Sequence, residues 1–230
     1  MKAAAIVAAA GTGLRMKNET RKQYLVLAGK PVLARSLNLF IEHPDFETVI
    51  AVIPPGEEDA VKKLIEPFCP AGQVTLVAGG DTRQESVRRG LDIVPEWIDL
   101  VCIHDAARPL ASPALLKDLL SAAEGFGAAI PVIAASDTVK EINNEGFVTA
   151  TPLRDRLRLV QTPQVFRREL LKRAFDMARQ SGFEATDDAS LVEAAGYAVK
   201  TIPGESANLK ITTPIDLIMA VQLLKGVDKR

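Results

Sequence analysis

Histidine and cysteine are both scarce in this chain, with two of each in 230 residues. His43 and His104 are the only histidines, which excludes a metal site built from several imidazoles. Cys69 and Cys102 are far apart and lack metal-ligand spacing. Two buried thiols in a reducing, cytoplasmic setting is the plain reading. Long apolar runs are missing too, and none reaches the roughly 20 residues of a membrane-spanning helix. Met1 to Ala10 has one lysine and an apolar run, which imitates a signal peptide. The run is short and leads into a glycine-rich turn, so it reads as structure. An excess of one charge is also absent: the formal net charge is -1. No global basic field favours nucleic acid or an anionic membrane, and any anion-binding patch must be local. Repeats and low-complexity linkers are not found.

What is present is a good core composition, with 47% hydrophobic residues. That suits a single domain over 1–230. Short apolar runs alternate with amphipathic stretches. Strands are predicted at Ala3 to Ala8, Thr48 to Ile53, Val74 to Val77, Leu100 to Ile103 and Ala128 to Val132. Helices are predicted at Pro31 to Glu42, Glu57 to Phe68, Asp81 to Val94 and Pro113 to Glu124. Asp81 is the expected cap of the third. This order implies an α/β fold with a mostly parallel central sheet covered by helices on both faces. Ligands then belong at the carboxyl ends of the strands. Beyond residue 136 the rhythm changes. Asp137 to Ile142 and Phe147 to Thr151 flank the turn formers Asn143-Asn144-Glu145-Gly146, which predicts a β-hairpin. Its apolar positions have little to cover them, so an arm over about 136–151 that packs on something, such as a second subunit, is expected. Helices near Arg168 to Ser181, at Asp187 to Ala195 and at Pro214 to Leu224 follow, with a strand at Ala198 to Ile202.

Ala8-Ala9-Ala10-Gly11-Thr12-Gly13-Leu14-Arg15-Met16 follows the first strand. Small residues there let the backbone approach a ligand, with N–H groups toward phosphate oxygens. An ordinary tight connection reads the same way. It is not a dinucleotide fingerprint, because Met16 replaces the third glycine and the later acidic residue is missing. Arg15, Arg21 and Lys22 put three cations just downstream, which suits a triphosphate better than a hydride-transfer cofactor. Asp105, inside His104-Asp105-Ala106-Ala107-Arg108-Pro109, stands where a carboxylate can hold Mg²⁺. The alternative is a turn-stabilising Asp paired with Arg108. His104 reads more readily as a structural donor than as a base. Lys210 lies in an apolar run, either snorkelling to solvent or aimed into a site. Thr186 or Asp187 can cap the helix that follows.

Together these motifs resemble the 2-C-methyl-D-erythritol 4-phosphate cytidylyltransferase family of the non-mevalonate isoprenoid pathway. The matching pieces run nearly end to end. They are the glycine loop with Arg15-Met16, Lys22-Gln23-Tyr24-Leu25, Gly79-Gly80 with Arg83 and Ser86-Val87, and His104 to Pro109. Gln161-Thr162-Pro163-Gln164-Val165-Phe166, Thr186-Asp187-Asp188-Ala189-Ser190 and Asn208-Leu209-Lys210-Ile211-Thr212 complete the set. Seven segments in the right order make the match specific. The resemblance implies a Rossmann-like nucleotidyltransferase fold. It implies that Arg15 and Lys22 bind the triphosphate and stabilise the transition state, with Lys210 near the α-phosphate. Ala9, Ala10, Gly11, Gly13, Gly80 and Ser86 match CTP-binding positions, and Asp105 the residue near the metal and the ribose. Arg108, Thr138, Arg154, Thr162 and Thr186 fall in the segments used around the acceptor. It also implies Mg²⁺ or another divalent cation, and a homodimer whose arm reaches the neighbouring site. Two positions depart from the family. Arg21 stands where Pro is usual and adds charge to a loop. Arg158 stands where Trp is common and removes an aromatic from the base of the arm.

The expected reaction needs no protein nucleophile, and no Ser/His/Asp or Cys/His arrangement is found. The obstacle is repulsion between a phosphate dianion and a triphosphate, about 4 kcal/mol per unit-charge pair at 4 Å and an effective dielectric near 20. Rival readings are a ribitol 5-phosphate cytidylyltransferase, a sugar nucleotidyltransferase using another base, and a nucleotide-binding module without turnover.

Overall fold

The computed structural model describes residues 1–11 and 21–227. β1 (Ala3–Ala8) lies inside an eight-stranded sheet, and its side chains are buried on both faces. Ala3, Ala5 and Val7 enter one core, while Ala4 and Ile6 enter the other. A continuous apolar run, rather than an alternating one, is what a doubly covered parallel strand requires. A 3₁₀ turn at Lys22–Tyr24 leads to a small antiparallel ribbon, β2 (Val26–Leu27) and β3 (Lys30–Pro31), and then to α1 (Val32–Ile41). β4 (Phe46–Ile53), α2 (Glu58–Ile65), β5 (Val74–Ala78), α3 (Arg83–Asp92) and β6 (Leu100–Asp105) follow. α4 (Pro113–Phe126) and β7 (Ala128–Ala134) end the regular alternation.

β1 pairs in parallel with β4 on one side and β6 on the other, and β5 pairs in parallel with β4. α1, α2 and α4 supply Leu33, Leu37, Phe40, Val61, Leu116 and Leu119 to one core. The opposite core includes Val87 and Leu91 of α3. Local chemistry sets the helix ends. Ser112 Oγ accepts the Leu115 N–H at 3.0 Å, Pro113 opens α4, and Gly127 closes it at φ 87°. The cap of α3 differs from expectation. It is Thr82, whose Oγ1 accepts the Glu85 N–H at 3.0 Å. The helix starts at Arg83, so Asp81 stands one residue too early.

The predicted hairpin is present but shorter, with β8 (Glu141–Ile142) and β9 (Val148–Ala150). Asn143 Oδ1 accepts the N–H groups of Glu145 and Phe147, and Gly146 takes φ 86°. After a 3₁₀ turn at Arg154–Arg156, β10 (Arg158–Val160) and β11 (Gln164–Arg167) run along β7. β11 lies antiparallel between β6 and β7. Neither strand is predicted from the sequence, where Arg158 to Val160 has no element assigned and Gln164 to Phe166 enters only as part of a family-matching segment. α5 (Arg168–Ser181) and α6 (Asp188–Ala194) pack on the second core, and β12 (Lys200–Pro203) pairs in parallel with β7. Lys210 lies in irregular chain rather than a strand, before α7 (Pro214–Val227).

Gly90 shows how tightly the second core is filled. A Cβ there would lie 2.8 Å from Ile6 Cγ2 and 3.0 Å from Val52 Cγ2. Alanine improves helix propensity by about 1 kcal/mol, but overpacking costs about 1 to 3 kcal/mol. Gly90→Ala is expected to lower unfolding free energy in urea by about 1 kcal/mol net. A gain in stability would show that α3 lifts off the sheet without penalty.

Candidate active site

The carboxyl ends of β1 and β6 open onto a cavity of about 510 Å³. Ala8 to Gly11 form one wall, and Gly80, Thr82 and Arg83 at the start of α3 form another. Gln23, buried after the 3₁₀ turn begins, braces the first wall. Its Nε2 donates to the carbonyls of Ala9 at 2.6 Å and Gly11 at 3.0 Å. Ser86 Oγ accepts the Gly80 N–H at 3.0 Å and holds the second wall. Glycine is required beside it, because a Cβ on Gly79 would lie 2.6 Å from Ala10 Cβ.

Asp105 ends β6 at the floor of the cavity, where Lys22 and Lys210 also line it. Lys210 Nζ lies 2.5 Å from Asp105 Oδ2, and Arg83 Nε lies 3.4 Å from Oδ1. Burial pushes the Asp105 carboxyl up, but Arg83 and Lys210 outweigh it and hold the group well below the usual carboxylate range. The expected alternative partner, Arg108, is instead turned to the Asn208 carbonyl, with Nη1 at 2.8 Å. Arg83 also reaches Asp188 Oδ2 at 2.7 Å, and Asp188 is fully buried at the start of α6. Asp187, one residue earlier, caps that helix through the Ser190 N–H. Arg21, the charge that replaces a proline, pairs with Glu57 at 3.0 Å, which also accepts from the Tyr24 hydroxyl.

The structure therefore brings Ala9, Ala10, Gly11, Lys22, Gly80, Ser86, Asp105 and Lys210 together around one cavity. Gly13 and Arg15 lie outside the described residues. Thr138, Arg154 and Thr186 do not line this cavity, and Thr138 and Arg154 are exposed. Arg108 and Thr162 stand behind it. Thr162 is buried, and its Oγ1 accepts the Asp105 N–H at 3.0 Å and faces His104 Nδ1 at 3.1 Å. His104 is fully buried, which lowers its pKa to about 4. It is neutral at physiological pH and does not act as a charged group.

The sequence assigns Arg83 no role beyond its place in a matching segment, yet it carries one signal. A cation in the first turn of a helix opposes the helix dipole, so Arg83 needs carboxylates from elsewhere. Asp188 was hidden beside a capping Asp of the same type.

The chain matches the family model described as 2-C-methyl-D-erythritol 4-phosphate cytidylyltransferase over residues 3–226. It belongs to that family. A relative of that name from Desulforamulus reducens is 44% identical over 222 residues, covering 96% of this chain and 95% of the relative. The crystal structure of a 4-diphosphocytidyl-2C-methyl-D-erythritol synthase from Anaerococcus prevotii superposes with a TM-score of 0.84. It is 33% identical, covering 97% of this chain and 98% of that one. The Thermus thermophilus 2-C-methyl-D-erythritol 4-phosphate cytidylyltransferase gives 0.80 at 37% identity, covering 98% and 100%. Membership makes the chain an enzyme, a nucleotidyltransferase, on a Rossmann-like nucleotidyltransferase fold.

Among the described residues, no group of three or more His, Cys, Asp or Glu is placed to hold a metal. Two aspartates, Asp81 and Asp105, line the cavity. That fits Mg²⁺, which takes one or two carboxylates when phosphates and water fill the rest of its shell. The donor set thus suits a cation that arrives with a nucleotide.

The pair of adjacent aspartates separates two roles. Asp188→Ala removes the buried partner of Arg83 and is expected to cost about 3 kcal/mol. Asp187→Ala removes the helix cap and the acceptor of the Gln164 Nε2 hydrogen bond at 2.9 Å, and is expected to cost about 2 kcal/mol. Urea unfolding of both variants checks this, and equal losses would refute the division.

Proposed function

We infer that this chain transfers CMP from CTP to 2-C-methyl-D-erythritol 4-phosphate, giving 4-diphosphocytidyl-2-C-methyl-D-erythritol and pyrophosphate. The observation that carries the inference is Lys22, Asp105 and Lys210 converging on one cavity beside the Ala8 to Gly11 loop. An oxygen of the acceptor phosphate attacks the α-phosphorus of CTP in line. A new O–P bond forms, the bond to the β-phosphate oxygen breaks, and pyrophosphate leaves with the electron pair. Lys22, Lys210 and Arg15 offset the repulsion between the two anions and stabilise charge on the leaving group. The two walls orient the nucleotide, which supplies the positioning part of the rate. Asp105 together with the nucleotide would hold Mg²⁺, which would supply further charge neutralisation.

Arm and partner belong to the same reading. Ile142, Phe147 and Val148 on the hairpin are all more than half exposed. Exposed apolar ribbons of this kind mark contacts. The arm packs across a homodimer, and Thr138 and Arg154, on the arm and at its base, serve the neighbouring site with its Arg108 and Thr186. Residues 1–230 act as one domain carrying that arm. The enzyme works in the cytoplasm, as its two buried free thiols suggest. No helix of the described residues is long and apolar enough to cross a membrane.

Pyrophosphate release from each of the four nucleoside triphosphates, with several acceptors, tests the reaction. Release is expected only with CTP, 2-C-methyl-D-erythritol 4-phosphate and a divalent cation, and not in EDTA. Lys22→Ala is expected to lose on the order of 10²- to 10³-fold in kcat. Equal kcat/KM with ribitol 5-phosphate would overturn the acceptor and leave cytidylyl transfer standing.

The dimer is tested by sedimentation at micromolar concentration. A dimer is expected for the unmodified chain, and Phe147→Glu is expected to weaken it. A fully active monomer would refute the role of the arm.

A further inference from the structure

Four residues behind the cavity form a closed ring of hydrogen bonds. His104 Nε2 lies 3.0 Å from the Arg108 carbonyl oxygen, which only accepts, so this nitrogen carries the ring hydrogen. Arg108 Nη1 donates to the Asn208 carbonyl at 2.8 Å. Asn208 Nδ2 donates to the Thr162 carbonyl at 2.9 Å. The Thr162 hydroxyl closes the ring by donating to His104 Nδ1 at 3.1 Å, while its oxygen accepts the Asp105 N–H at 3.0 Å. The two bonds at the imidazole need one neutral tautomer: a donor at Nε2 and an acceptor at Nδ1.

The ring joins three segments that are distant in sequence. Asp105 follows His104 directly, and Lys210 is two residues from Asn208. The Ile211 N–H donates to the Ala107 carbonyl at 2.8 Å, tying the same two segments again. The Asp105–Lys210 ion pair therefore stands on a frame that His104 closes. The frame is built at a cost. Arg108 Nε and Asn208 Oδ1 are buried and have no partner among the described residues. Polar atoms left unpaired next to a site indicate a geometry held for function rather than for stability.

We propose that His104 is a positioning residue for cytidylyl transfer, acting through this ring to set Asp105, Arg108 and Lys210 relative to one another. The proposal rests on the reaction inferred above. It differs from a packing role, in which the ring merely fills space against Phe40, 5.5 Å away and edge-on. His104→Phe keeps the bulk and removes both hydrogen bonds. His104→Gln keeps a donor for the Arg108 carbonyl.

The test measures kcat, KM for CTP and melting temperature in both variants, assayed well below their melting points. His104→Phe is expected to lose on the order of 10- to 100-fold in kcat, the size of effect that misplacement by about 1 Å produces. His104→Gln is expected to recover part of that loss. KM for CTP is expected to change less than kcat, because the glycine loop and the Gly80 wall, which hold the nucleotide together with Asp105 and Lys210, do not belong to the ring. Parental kcat in folded His104→Phe overturns the proposal, as do equal losses in the two variants. If His104→Phe does not fold, Thr162→Val breaks the ring at the hydroxyl with little change in size. Lowered kcat at an unchanged melting temperature then supports the role, and parental kcat overturns it. Turnover by the unmodified enzyme in the same assay keeps a failure of this inference separate from a failure of the reaction assignment.

Discussion

A buried carboxylate needs a cation, and Asp105 has two, brought from distant parts of the chain. Arg83 comes from the start of α3 and Lys210 from the irregular segment before α7. An uncompensated charge at this depth would cost several kcal/mol, and the two cations share that compensation. Their pairing with Asp105 fixes where α3 begins relative to β6 and how the C-terminal segment folds back over the sheet. Asp188 extends the arrangement by holding the far side of Arg83. Two carboxylates and two cations then nearly cancel, which keeps a polar floor stable inside an apolar fold.

That balance also suits the triphosphate proposed for the cavity. Lys210 is held toward the cavity by Asp105 rather than free to fold into solvent. In the proposed reaction, a phosphate or a divalent cation entering there would exchange partners within a preformed set of charges. Little reorganisation is left for the moment of reaction, which is the condition under which fixed charges stabilise a transition state most. The glycine and alanine walls add close backbone approach, and the buried amide of Gln23 keeps one of them in place.

Behind the floor the site is tied together chiefly by neutral groups. His104, Thr162, Asn208 and the main chain of Arg108 share directional bonds, with the Arg108 guanidinium as the one charged member. Placing this ring below the charged layer separates two tasks. In the proposed mechanism, charges act on the substrates and directional bonds set distances. The antiparallel strand β11 makes this possible, because the segment leading into it delivers Thr162 beside the end of β6.

Much of this was legible in the residues themselves. The apolar runs located the strands on which the site depends, since a doubly buried strand has no other composition open to it. That the glycine loop, Lys22 and the Asp105 segment share one cavity is visible only in the structure, because each alone reads equally as a tight connection, a solvated charge or a turn-stabilising carboxylate. The hairpin was legible from Asn143 to Gly146, where turn chemistry is local. What only the tertiary structure decided was partnership. β10 and β11 carry no alternating pattern and exist because β7 and β6 offer them edges. Arg108 turned from Asp105 to Asn208, and Arg83 took its place, for a reason no spacing reveals. Which cation meets a buried carboxylate depends on the three-dimensional path of the chain, and Arg83 and Asp188 are separated by 105 positions.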